Sequence, residues 1–297
     1  MSSMIVAPQP LAVEAGARVL MAGGNAIDAA VTCAFVQGVV DPQMCGIGGY
    51  TLLTLCEFNE AGRRPSRSVA LDAPALAGSK VSPEMWVDRF IRPDPDGWGY
   101  FLRDRVNVQG YTSICTPGAV RGLDEMLRRW GTISWEEAIE PAARLAEEGF
   151  VVDSFLAESW RRPRKCPEST TLLDVIRANP EASRIYLKDG RPYEAGERLR
   201  NPDLARTLRA LAERGPEEFY AGELAERIIR DLADNGSFVS AGDLAGYKLR
   251  EDSPLMGTYR GDRITTSRPP HGGPTLLSIL NILEGYHLSV LGHNSPE

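Results

Sequence analysis

The sequence predicts a layered α+β protein, with an α/β sandwich as the alternative reading. Three observations lead there. Segments with helical and with strand-like patterning come in blocks: helices, a hairpin, more helices, then strands. That order builds packed layers of secondary structure. One helical segment, Ala26 to Gln37, is apolar almost all round, as a helix buried on most sides must be. The composition, 43% hydrophobic and 25% charged over 297 residues, is that of an ordinary globular chain with enough length for a sizeable core. Disordered, collagen-like and coiled-coil chains are thereby excluded.

The elements follow in order. Pro10 suits the first turn of a helix over Leu11 to Ala22, with Glu14 toward its positive end. Gly23-Gly24 stops it, and Asn25 caps the apolar helix, which Asp41-Pro42 closes. After the glycine-rich turn Cys45 to Gly49, Tyr50 to Phe58 and Ser68 to Ala73 read as a hairpin, with turn residues at Asn59 to Arg64. Turn-formers and aromatics over Pro83 to Tyr111 are too many for a structureless loop, so a lid or a short helix is expected there. Pro117-Gly118 opens a helix over Ala119 to Trp130. Ser134 and Glu137 form a capping box for the next, which Pro141 should kink or restart before Gly149. Residues 153–200 are mixed, with a polar, proline-containing middle. Asn201-Pro202-Asp203 starts a helix faced by Leu204, Leu208 and Leu211, and Gly222 to Ala233 forms another. Two short strands flank Arg260-Gly261-Asp262, and Pro274 to Glu284 is a last apolar helix.

Forty acidic against 33 basic residues leave a net charge of −7, the wrong sign for a nucleic-acid partner. The five cysteines, Cys33, Cys45, Cys56, Cys115 and Cys166, are odd in number and never spaced CxxC, which reads as reduced thiols. His271, His287 and His293 form no HExxH pattern, so metal chemistry has little support. Met1 to Pro10 lacks a signal-peptide pattern and no apolar run is long enough for a bilayer, so a cytoplasmic protein without a membrane partner is expected.

Four places could carry chemistry. The backbone N–H groups of Cys45 to Gly49 could cradle an oxyanion, although a tight turn that lets two elements approach explains the glycines more simply. Cys45 could be a nucleophile, but a small buried thiol is the commoner case. His271, between Pro269-Pro270 and Gly272-Gly273, could be a catalytic histidine on a Gly-rich segment, or only the start of a helix. Asp72 could bind substrate, or be an acid at a strand end. Spacing alone assembles no complete nucleophile–base set.

Ten blocks of sequence nevertheless occur in the order of a known family. They are Val6 to Ala12, Gly23 to Ala30, Gly46 to Gly49, Thr116 to Gly118, Pro141 to Phe150, Asn201 to Ala205, Gly215 to Tyr220, Asp243 to Tyr247, Gly257 to Gly261 and Asn281 to Gly285. The chain resembles the large-chain portion of γ-glutamyltranspeptidases, threonine-type N-terminal-nucleophile hydrolases, over nearly its whole length. The match is absent near Pro83 to Gly110 and weak over Asp153 to Arg200.

The resemblance implies part of a four-layer αββα sandwich, with residues 1–297 as one domain. It also implies a precursor that cuts itself into two chains. The new N-terminal Thr of the small chain attacks an amide carbonyl, with its own α-amine as base, and the acyl-enzyme passes to water or an amine. No metal or organic cofactor is implied. The partners implied are the small chain, a small-molecule amide and other copies of the heterodimer.

That Thr lies after the large chain, and Thr170-Thr171 and Thr265-Thr266 are no substitutes. No catalytic residue is therefore expected in this chain, which alone should be inactive. A catalytically inactive, truncated paralogue with a binding or assembly role is the alternative. The resemblance also places a carboxylate-gripping Arg in an Asp-x-Arg-Glu segment, and the matching stretch here is Asp72-Ala73-Pro74-Ala75. Pro74 in place of that Arg argues for an amide other than a γ-glutamyl one, with Arg103 or Lys80 as substitute cations. The substrate-binding candidates are thus Asp72, Pro74 and Arg103.

Overall fold

The computed structural model describes residues 3–58, 65–94, 99–162 and 171–295. Cys166, Thr170 and the expected turn Asn59 to Arg64 lie outside them.

Helix α1 (Pro10–Met21) starts on its proline, and Glu14, beyond its first turn, pairs with Arg18 at 3.3 Å. In α2 (Ala26–Val40) Asn25 and Asp28 form a reciprocal capping box. The hairpin β1 (Thr51–Phe58) and β2 (Pro65–Ala73) follows. Next come the short strands β3 (Phe90–Pro93) and β4 (Tyr100–Leu102), then α3 (Ala119–Trp130) and α4 (Trp135–Glu148).

The weakly patterned middle holds β5 (Phe150–Val151), α5 (Ser154–Arg161), α6 (Leu172–Ala178) and α7 (Pro180–Tyr186). It continues with β6 (Leu187–Lys188), β7 (Arg191–Pro192) and β8 (Arg198–Leu199). The chain goes on through α8 (Pro202–Arg214), α9 (Glu217–Tyr220), α10 (Glu223–Asp234) and α11 (Ala241–Ala245). It ends with β9 (Arg250–Asp252), β10 (Leu255–Tyr259), β11 (Asp262–Thr266) and α12 (Gly273–Glu284). Helices and strands make an α+β protein, as expected.

One expectation needs correcting. Pro141 does not break its helix: α4 is continuous through it. Ala138, Ile139, Ala142 and Ala143 are all fully buried, and α4 packs on both α2 and α8. Burial on two sides offsets the one backbone hydrogen bond that a proline removes. Among its described residues the stretch 83–111 holds single helical turns, the short helix expected there, together with an antiparallel pair, β3–β4, that the sequence did not suggest. The pair is held by Phe101, whose ring lies between the Arg92 and Arg105 guanidinium groups at 4.5 and 4.6 Å. Arg105 in turn binds Asp94 at 3.1 Å.

The chain divides into two compact units, Met1–Gly49 with Ala75–Tyr247, and Tyr50–Pro74 with Lys248–Glu297. The first is mainly helical and carries the short strands β3 to β8. Its core is α2 wrapped by α1 and α4, with α8 on the far side of α4. The second holds an antiparallel sheet in the order β1-β2-β9, with β2 central, and the hairpin β10–β11. Tyr259 faces Asp262 across a two-residue turn, Arg260-Gly261, and both turn residues have positive φ (51° and 87°). That is the backbone of the turn favoured between twisted strands. The Arg260 guanidinium donates to Tyr286 O at 2.8 Å, tying the hairpin tip to the chain just past α12.

Candidate functional site

Asp72 is the penultimate residue of β2, opposite Leu52 of β1 and Arg250 of β9. Ala70, Leu71 and Ala73 around it are buried, so the strand is fixed by its apolar neighbours and by pairing on both sides. Pro74 follows directly, half-buried. His271 lies in the turn that leads into α12, where its N–H donates to Arg268 O at 3.1 Å. The turn is tight at Gly273, where a Cβ would stand 1.8 Å from Ser267 O.

This folding brings His271 Nε2 to 3.0 Å from Asp72 Oδ1. The side chains are 21% and 16% exposed, and both atoms are buried with no hydrogen bond to any other described residue. They stand within ion-pair distance but outside hydrogen-bond alignment, and carry opposite charges only when the imidazole is protonated. An imidazole held against a carboxylate can hold or pass a proton and can orient the acid. Two residues that the sequence raised separately thus belong together, and no spacing rule could have joined them.

The other candidates have structural places. Arg103 is exposed in a single helical turn after β4. Lys80 is exposed, and its backbone N–H donates to Phe238 O. Thr171 caps α6 by accepting from Asp174 N, and Thr265 and Thr266 lie within β11. None of these threonines is a chain terminus, so none carries a free α-amine.

The glycine turn serves packing. A Cβ on Gly38 of α2 would meet Gly46 Cα at 3.1 Å, so the two backbones touch. Gly49 O accepts from Gly118 N and Ala119 N at 2.9 and 3.0 Å, which occupies two donors at the start of α3. A cavity of about 270 Å³ adjoins Cys45 to Gly48, and no charged side chain lines it. Cys45 is exposed as a residue, but its sulfur is part-buried against Asp41 O, and this desolvation with the Asp41 carboxylate and Cys33 pushes the thiol up to about 11. At neutral pH this sulfur is a thiol, so it lacks the thiolate that nucleophilic chemistry needs. Among the described residues no helix is long and apolar enough to cross a membrane.

The sequence profile of the family described as Gamma-glutamyltranspeptidase matches residues 12–297. The chain is 36% identical over 297 residues to the acylase ACY 1 proenzyme of Pseudomonas sp. (strain SE83), covering 99% of this chain and 50% of that protein. It is 30% identical over 295 residues to the glutathione hydrolase proenzyme of Escherichia coli (strain K12), covering 99% and 47%. The chain therefore spans about half the length of these relatives. In structure it resembles Helicobacter pylori γ-glutamyltranspeptidase, with a TM-score of 0.84 and 31% identity over all of this chain and 80% of that one. Sequence blocks, fold and relatives agree: the chain belongs to the γ-glutamyltranspeptidase family.

Proposed function

We propose that this chain is the large-chain part of an amide hydrolase or acyl transferase whose nucleophile is the N-terminal threonine of a small chain. The Thr hydroxyl attacks the amide carbonyl, its α-amine takes the proton, and the acyl group passes to water or to an amine. The observation that carries the reading is the family match over residues 12–297, joined to relatives named as proenzymes of hydrolases and acylases. On this reading the large chain alone is inactive. The small chain docks on the apolar surface of the second unit. Leu276, Ile279 and Ile282 recur every three residues along α12 and are exposed, so they offer an apolar stripe to a partner.

The segment Asp72 to Pro74 lines the acyl pocket on this reading, and Pro74 sets its preference. A proline has no donor for a carboxylate, and a bidentate charge-assisted contact is worth about 2 kcal/mol, or roughly 30-fold in binding. The acyl group is therefore not selected for an α-carboxylate, which places the protein nearer to acylases than to enzymes specific for γ-glutamyl amides. Three p-nitroanilides test this on protein expressed from the complete reading frame: γ-glutamyl, 4-aminobutyryl (no α-carboxylate) and glutaryl (no amine). The 4-aminobutyryl compound should match the γ-glutamyl one in kcat/KM within about threefold. A 30-fold preference for γ-glutamyl would contradict the reading and send the search to Arg103 and Lys80.

A further inference from the structure

The contact between His271 and Asp72 has no part in a threonine–amine mechanism, yet both groups are largely withdrawn from water to make it. The charged groups around it are few. On β9, Arg250 is the register partner of Asp72, and Glu251 and Asp252 follow; all three are exposed, and Glu251 pairs with Arg67 at 3.7 Å. Opposite on β1 stands apolar Leu52. Arg268, also exposed, donates to Ser253 O at 3.2 Å. At the far end of α12, Glu284 accepts from the backbone of Arg260. Asp72 is the carboxylate that the ring itself meets.

We propose that His271 is a positioning residue for Asp72, holding the carboxylate at the end of β2 so that the protonation of His271 sets how well the acyl group binds. The proposal rests on the reading that Asp72 to Pro74 lines the acyl pocket. Protonated, the imidazole is a cation against a carboxylate and fixes it. Neutral, it loses the charge attraction, and in the tautomer with hydrogen on Nδ1 it turns a lone pair toward the acid. Substrate binding should therefore be weaker where the imidazole is neutral than where it is protonated.

Protein expressed from the complete reading frame is assayed from pH 5.5 to 8 with the best of the three anilides. His271→Gln keeps an N–H donor of similar reach but cannot titrate; His271→Ala removes the contact. Wild-type KM should rise about fivefold across the range, His271→Gln should have a flat KM, and His271→Ala a high KM at every pH. The effect should fall on KM and not on kcat. A His271→Gln profile that tracks the wild type, or a His271→Ala KM within twofold of wild type at pH 5.5, overturns the proposal. If His271→Ala does not fold, the comparison of wild type with His271→Gln decides. Turnover that is indifferent to His271 sinks this proposal alone, whereas no turnover of any anilide by wild type sinks the functional reading and the proposal with it.

Discussion

Asp28 Oδ1 accepts the backbone N–H of Thr132 at 2.6 Å, fastening the first turn of α2 to the loop that leaves α3. The same carboxylate, fully buried, accepts from the Thr132 hydroxyl, Ile133 N and Asn25 N. Asn25 Nδ2 adds a bond to Trp130 O, the last carbonyl of α3. Replacing Asp28 by Ala leaves these donors buried without their acceptor and should cost about 3 kcal/mol or more of stability. Chemical denaturation reads this directly; a loss under 1 kcal/mol would mean that water reaches the donors.

The same residue has a pH signature. Burial alone would raise the Asp28 carboxyl, but the bonds from Thr132, Asn25 and Ile133 outweigh it and hold it below its ordinary value. A folded-state value below the unfolded one contributes stability above about pH 4, lost as pH falls through the folded value. The deficit of Asp28→Asn should therefore be full at pH 7 and shrink on acidification toward pH 3. A deficit that stays constant with pH would contradict the assignment.

Asp41 has the opposite sign. It is buried, and burial pushes its carboxyl up; Gln37 opposes this by donating to Oδ2 at 2.8 Å, and Asp153 adds to it. The native state then holds this proton more tightly than the unfolded chain, so ionisation costs stability as pH rises above about 4. The stability of Asp41→Asn minus that of wild type should become more favourable between pH 4 and pH 7. A flat difference would show that Asp41 is ionised at no cost.

Cys45 should be a poor target for alkylation. With the thiol at about 11, roughly three in ten thousand are ionised at pH 7.5, against about one in ten for an ordinary cysteine. Peptide mapping after brief iodoacetamide treatment should find Cys45 unmodified, and activity should survive. Rapid loss of activity with label on Cys45 would revive cysteine chemistry.

Much of the fold was legible in local signals. Asn25 and the apolar run after it mark α2, and Ser134 with Glu137 marks α4. The wider stretch between turn formers marks β1 and β2. The pair β3–β4 escaped because strands of four and three residues are too short to show alternation. Helix α5 buries Leu156, Ala157 and Trp160 but is only eight residues long, and helices α6 and α7 escaped for a like reason. Asp153, Thr171 and Asn179 cap them, but α6 buries only Ile176 and α7 nothing, so no apolar stripe develops. Asp72 and Pro74 became substrate-binding candidates through the family motif, while the approach of His271 to Asp72 depends on the path of the chain through β9 to β11 and has no local trace.

The central claim is an enzyme built from this chain and a threonine-led small chain. Intact-mass analysis with N-terminal sequencing of every chain that co-purifies from the complete reading frame tests it most directly. The account predicts two chains, the smaller beginning with Thr, appearing together with amidase activity. A single unprocessed species without such a chain would contradict it and turn the search from substrates to binding partners.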